Sequence, residues 1–117
     1  MNDLAPSEWS TRRRAPRAAF GGHADIFTWD GRSRCRLTDL SGSGAFLRCR
    51  SPLAEGKYVT LRLHLPAGRA FTVLGKVVRA VHSRDHGPRR SGMGLRFVDL
   101  KHRDRQAIQA YVDERRA

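Results

Sequence analysis

From about position 23 to position 97, apolar and polar residues alternate with a period of two, which narrows the folds open to this chain more than any other feature. Tyr58 to Leu65 is the clearest stretch. Val59, Leu61, Leu63 and Leu65 fall on one face, and Tyr58, Thr60, Arg62 and His64 on the other. A strand turns successive side chains to opposite faces, so such a segment covers a core on one side and meets water on the other. His23 to Trp29 alternates in the same way, and Asp30-Gly31 after it is a short hairpin signal. On the returning strand Cys35, Leu37 and Asp39 share one side, with Arg34, Arg36 and Thr38 on the other. Ala45, Leu47 and Cys49 then oppose Phe46, Arg48 and Arg50 until Ser51-Pro52 ends the run. Pro66-Ala67-Gly68 turns into a long strand over Phe71 to His82. Ser83 to Gly92 reads as a polar loop, and Met93, Leu95 and Phe97 build a last strand.

Only after Phe97 does the period change. Ala107, Ile108, Tyr111 and Val112 recur at helical spacing, which predicts an amphipathic helix over about 100–115 with Asp99 as its N-cap. Six short strands at hairpin spacing predict a mainly β fold, a six-stranded antiparallel β-barrel whose C-terminal helix covers one open end. The 117 residues are enough for one domain. Residues 1–11, polar around Pro6 and without periodicity, are expected to form a flexible N-terminal arm, and residues 12–117 the barrel domain with its helix.

Composition excludes several classes. Hydrophobic residues make up 39% and charged residues 29%, the balance of a globular domain rather than a disordered chain. No apolar run approaches the ~20 residues needed to cross a bilayer as a helix. Met1 to Ser10 lacks the basic-then-apolar order of a secretory signal, so a cytoplasmic location is expected. The net charge of +12 favours polyanionic partners: nucleic acid, acidic lipid surfaces or phosphorylated small molecules. All of the 23 cations except Lys57, Lys76 and Lys101 are arginines, whose planar fork grips phosphate or the guanine O6/N7 edge in bidentate fashion. The charge is spread along the whole chain, however. Aromatics are 8% and are expected to form no exposed stacking run, with Phe71 and Phe97 in the core. A nucleic-acid-binding barrel is therefore the alternative reading rather than the leading one.

No reaction centre is legible. The chain has no phosphate loop of the GxxxxGK type and no serine–histidine–aspartate arrangement, and His102-Arg103-Asp104 imitates a kinase tripeptide without any other kinase element. His82 and His86 are four apart but flank a strand end and the Gly87-Pro88 loop, not a helix that would align them, so no metal site is expected. Cys35 and Cys49 lack metal or redox spacing. Pairing about Gly42 would set them almost opposite one another, and in a reducing compartment two buried thiols are expected. A non-enzymatic binding module without a cofactor follows.

Two polar stretches carry the specific chemistry. In Arg13-Arg14-Ala15-Pro16-Arg17, Pro16 keeps Ala15 out of the helical region, so the segment is extended or turned. Residues four apart in an extended segment lie on one side. Arg13 and Arg17 thus offer two forks to one ligand, such as phosphate oxygens and a guanine Hoogsteen edge. Arg12 and Arg14 are accessory charges. In Asp39-Leu40-Ser41-Gly42-Ser43-Gly44, Asp39 and Ser41 are two apart and leave a strand on the same face. The carboxylate can accept from guanine N1–H and N2–H₂, and the hydroxyl can serve a phosphate or ribose oxygen. Gly42 and Gly44 permit a tight turn and close backbone approach.

RxxxR followed by DxSxxG, on either side of the first hairpin, resembles the PilZ domain, a bacterial receptor for cyclic di-GMP. Arg13, Arg17, Asp39, Ser41 and Gly44 all fit the pattern, and the similarity runs from about Arg12 to the C-terminus, with Gly92-Met93-Gly94-Leu95-Arg96-Phe97 resembling the family's last strand. The resemblance implies the same six-stranded barrel with a C-terminal helix, and an arginine loop that folds over the barrel mouth beside the second motif. There Arg13 and Arg17 would hold guanine and phosphate, Asp39 and Ser41 would contact the purine edge and phosphate-sugar backbone, and Gly44 would keep the strand crossover compact. It further implies a second-messenger receptor, monomeric or bridged into a homodimer by ligand, acting on an unidentified protein effector. Proteins of the family are associated with motility, surface appendages, exopolysaccharide production and virulence. A barrel that serves as a protein–protein adaptor without ligand is the remaining alternative.

Overall fold

The computed structural model describes residues 22–82 and 91–116. Its elements are β1 (Gly22–Thr28), β2 (Gly31–Leu40), β3 (Gly44–Arg48), β4 (Tyr58–His64), β5 (Ala70–Val81), β6 (Gly92–Val98) and a C-terminal helix α1 (His102–Arg116), with one 3₁₀ turn at Pro66–Gly68. The strands close in the order β1-β2-β3-β6-β5-β4, and each neighbouring pair is antiparallel. Closure leaves no edge strand with unpaired N–H and C=O groups. No described helix is long and apolar enough to cross a membrane.

The alternating positions fill the interior. Val59, Leu61, Leu63 and Leu65 on and just after β4 are buried, as are Ala45, Leu47 and Cys49 on and just after β3 and Met93, Leu95 and Phe97 on β6. The α1 face of Ile108, Tyr111 and Val112 joins the same core. Phe71 packs against it only partly buried. The helix therefore adds its apolar stripe to the barrel's own contents, which a small barrel needs because side chains alone must fill it.

Four sequence expectations are corrected here. The two residues of the β1–β2 turn are Trp29 and Asp30, because Thr28 pairs with Gly31 across it. Asp39 does not share the Cys35 and Leu37 face. A bulge between Leu37 and Asp39 shifts the β2–β3 register, so that Leu40, opposite Ala45, turns inward and Asp39 stands opposite the half-buried Phe46. Asp99 does not cap the helix. It adopts φ 54°, and the carbonyl of Lys101 accepts the amides of Asp104 and Arg105 at 3.0 and 2.9 Å. Finally, aromatics do gather in water: Phe27, Trp29 and Tyr58 are all exposed.

Leu61 is wholly buried between β1 and β5. Leu61→Ala is expected to lower the unfolding free energy by about 2–5 kcal/mol, measured from the denaturant midpoint at unchanged slope.

Candidate functional site

The second motif forms the turn that joins β2 to β3, and its backbone is held at nearly every polar group. The Ser41 amide donates to the Gly44 carbonyl at 2.9 Å and closes the turn. The Ser43 amide donates to Ser41 Oγ at 3.1 Å, and the Ser41 and Ser43 hydroxyls meet at 3.0 Å. From β6 the Phe97 amide donates to the Ser43 carbonyl at 2.9 Å. Serine hydroxyls bonding to nearby amides are the usual stabilisers of such turns.

Two glycines make close approach possible. A Cβ on Gly44 would lie 2.2 Å from the Leu95 carbonyl oxygen, so no side chain fits where β3 meets β6. A Cβ on Gly42 would come within 3.0 Å of Gln109 Oε1 and 3.2 Å of Arg105 Cγ. That space is taken by a clamp from α1. The Gly42 amide donates to Gln109 Oε1 at 2.8 Å, and Arg105 Nη1 donates to the Gly42 carbonyl at 3.1 Å. Gln109 Nε2 in turn donates to Asp113 Oδ1 at 3.1 Å. Arg105 and Gln109 are four apart and so share one helix face. Sequence reasoning missed both; their spacing beside the apolar Ile108 and Val112 was the available signal.

Ser41 is 1% exposed. Its oxygen accepts one amide, yet a hydroxyl has one proton and two lone pairs, so capacity for one further partner remains. Asp39 is half-buried at the end of β2, directly before the inward Leu40. Asp39, Ser41, Gly42 and Gly44 follow one another along the rim that this turn makes, where Asp39 is half-buried and Ser41, Gly42 and Gly44 are buried. Ser41 lies beyond the end of β2 rather than on a strand face with Asp39. Arg12, Arg13, Arg14 and Arg17 lie outside the described residues.

On the outer face of β1 a second polar group is assembled. Asp25 is 4% exposed although Ala24 and Ile26, its neighbours, fill the interior. Arg34 Nε donates to its Oδ1 at 3.0 Å, and His64 Nε2 lies 3.1 Å from its Oδ2. The His23 ring stacks on His64 with centroids 4.5 Å apart. The hydrogen bond from Arg34, helped by the one from His64, outweighs burial and holds the Asp25 carboxyl below its ordinary 3.8. Burial, then the charges of Arg34 and His64, hold His23 below its ordinary 6.5. Inside the barrel, Cys35 and Cys49 are free thiols with sulfurs 2.7 Å apart. The hydrogen bond with Cys35, and then burial, push the Cys49 thiol well up. Among the described residues no cluster of three or more histidine, cysteine or acidic side chains is placed to hold a metal ion.

The family model of the PilZ domain matches residues 11–114. No curated protein sequence matches the chain. Solved structures do. The inhibitor of motility MotI/DgrA of Bacillus subtilis is 20% identical with a TM-score of 0.77, covering 90% of this chain and 51% of that one. YcgR of Escherichia coli in complex with c-di-GMP is 18% identical with a TM-score of 0.75, covering 88% of this chain and 45% of that one. The chain therefore spans about half the length of these two. The PilZ domain of YcgR with c-di-GMP is 17% identical with a TM-score of 0.72, covering 90% of this chain and 92% of that domain. At these identities the likeness concerns the fold.

Two outcomes follow from the geometry. Gly44→Ala is expected to cost about 1–3 kcal/mol of stability by driving β3 from β6, seen as a lowered thermal midpoint. The depressed Asp25 carboxyl contributes stability that is complete above pH 3.8 and is lost as pH falls through its lower folded-state value. Asp25→Asn should therefore flatten the acid limb of the stability–pH curve, followed by denaturation at a series of pH values.

Proposed function

The chain belongs to the PilZ domain family, and from that membership we propose that it is a non-enzymatic, cytoplasmic receptor for cyclic di-GMP. Arg13 and Arg17 hold phosphate oxygens and the guanine Hoogsteen edge through their forks. Asp39 accepts from guanine N1–H and N2–H₂. With Ser43 Oγ donating to it, Ser41 turns its own proton to a phosphate or ribose oxygen while a lone pair keeps the Ser43 amide. Gly44 and Gly42 keep the rim close to β6 and α1, and Arg12 and Arg14 add long-range attraction for a dianion. Binding draws the arginine segment onto the rim, and the changed surface engages or releases a protein effector, with ligand bridging two protomers as a further arrangement.

One observation carries this reading. β1 begins at Gly22, which pairs with Leu37, two residues before Asp39. Arg17 is five residues upstream of Gly22, so the chain tethers it within roughly 17 Å of that pair at full extension. A tether of that length leaves Arg17 within reach of the strand end that bears Asp39 and Ser41. Two of the similar structures, YcgR and its isolated PilZ domain, hold the same dinucleotide. The clamp on Gly42 also offers a route from rim to helix, since a shift of the turn must move Arg105 and Gln109 or break their bonds.

Calorimetric titration with cyclic di-GMP tests the assignment. Arg13→Ala, Arg17→Ala and Asp39→Ala are each expected to weaken binding by roughly ten- to a hundredfold, the worth of a charge-assisted hydrogen bond. Arg17→Lys should weaken it as well, because a point charge cannot reproduce the fork. Affinity for the dinucleotide should fall less steeply with salt than that for a DNA oligomer, which releases many counterions. No heat with the unaltered protein, or an Arg17→Ala variant that binds as its parent does, rules the receptor out. A steep salt slope with DNA and no dinucleotide binding favours the nucleic-acid barrel instead.

A further inference from the structure

The four large apolar side chains that stand in water among the described residues fall on neighbouring strands β1, β4 and β5 and on the β1–β2 turn. Phe27 pairs with Thr60, and Thr60 with Leu74, across β1, β4 and β5. Two residues along, the β4–β5 ladder pairs Tyr58 with Lys76. Trp29 follows Phe27 by two residues at the head of the β1–β2 hairpin, so the β1–β4 register carries it toward Tyr58. The result is a row Phe27–Thr60–Leu74 with the Tyr58–Lys76 pair in the next row and Trp29 in the turn beyond Phe27. Trp29 is 96% exposed, Tyr58 59%, Phe27 41% and Leu74 37%. Exposed apolar residues scattered singly need no explanation, whereas a contiguous group marks an interaction surface.

The border of this block is cationic. Arg32 pairs with Phe27 from β2, and Arg96 pairs with Lys76 from β6. Arg62 stands in the next row, its Nη1 donating to Thr72 Oγ1 at 2.6 Å. Lys57 precedes Tyr58, and the Lys76 ammonium lies 5.6 Å from the centroid of the Tyr58 ring. Against these stand Asp30 at the hairpin head, which accepts from Thr28 Oγ1, Asp25, already engaged by Arg34 and His64, Asp99, next to the Val98 that pairs with Leu74, and Glu55, which accepts from the Ala80 amide.

We propose that this face is a docking surface for an anionic lipid bilayer. The Trp29 hairpin head enters the interface between acyl chains and headgroups, Phe27, Tyr58 and Leu74 rest behind it, and Arg32, Lys57, Arg62, Lys76 and Arg96 meet headgroup phosphates. Tryptophan and tyrosine favour this depth because an apolar ring carries a polar edge, and long cationic side chains keep their charge at the headgroup level. Charge selects the occupant. A net charge of +12 draws the chain to a negative surface and repels a second copy of itself. A single nucleic-acid strand needs successive aromatic faces along its track. Leu74 offers none, and Lys76 already lies over the Tyr58 ring. The aromatic part of the face, Phe27, Trp29 and Tyr58, sits at the Gly31 end of β2, away from Asp39, although Arg96 on its β6 border pairs with Gly44.

Vesicles of phosphatidylcholine, alone or mixed with phosphatidylglycerol, test this with the full chain. A Trp9→Phe variant leaves Trp29 as its one tryptophan. It should co-sediment with the anionic vesicles only, with Trp29 emission shifting to the blue and becoming protected from acrylamide. In the unaltered chain, Trp29→Ala should weaken partitioning by about tenfold, the scale of one large apolar side chain leaving water in part. Its circular dichroism should stay unchanged, because Trp29 packs against almost nothing. Partitioning that Trp29→Ala leaves intact, or binding without the blue shift, reduces the face to a charge effect and overturns the proposal. A Trp29 shift with oligothymidylate but not with vesicles assigns the face to nucleic acid. A dimer lost in Trp29→Ala assigns it to a second copy.

Discussion

The contact on which the rest of this molecule depends is between two backbones: the Leu95 carbonyl of β6 occupies the place where a side chain at position 44 would begin. A barrel of six short strands closes only if every ladder forms, and β3, with five residues, has little length with which to hold both β2 and β6. Gly44 lets it do so by removing the one group that would keep β6 away. The same residue ends the β2–β3 turn, so closure and turn geometry are a single constraint. The Ser41 amide on the Gly44 carbonyl and the Phe97 amide on the Ser43 carbonyl follow from it.

The helix then reads that turn. Ile108, Tyr111 and Val112 bury against the barrel interior, which fixes the rotation of α1 about its axis. With that rotation set, Arg105 and Gln109 fall over Gly42 and satisfy both of its backbone groups. Apolar burial supplies the driving force, and the polar clamp supplies the alignment, since buried amides and carbonyls left unpaired are costly. The backbone of the turn is thereby held in one arrangement by bonds from both α1 and β6.

Charge is handled differently on the outer face. Asp25 is a buried carboxylate on the wrong side of a strand for the core, and its desolvation is offset by Arg34 and His64 reaching it from the neighbouring strands. Farther toward the β1–β2 hairpin Asp30 accepts from Thr28 Oγ1, and the exposed aromatics of β1 and β4 stand beside Arg32 and Lys76. The barrel thus has a polar, backbone-lined rim at one end of β2 and an apolar, cation-bordered hairpin head at the other.

The period of two was enough to place six strands, the inward set on β4 and β6 and the helical face of α1, because each depends only on side chains a few residues apart. The two polar motifs were likewise legible, as residue types at fixed spacing. What the sequence could not determine were relations across strands. The bulge before Asp39 reverses its face, and it arises where β2 must match β3. Arg105 and Gln109 meet Gly42 across more than sixty positions. The Asp25 cluster and the Phe27–Tyr58–Leu74 block draw on three strands each. Local alternation says which side of its own strand a residue occupies, but register between distant strands is set by how the closed barrel packs, and that alone chose the neighbours.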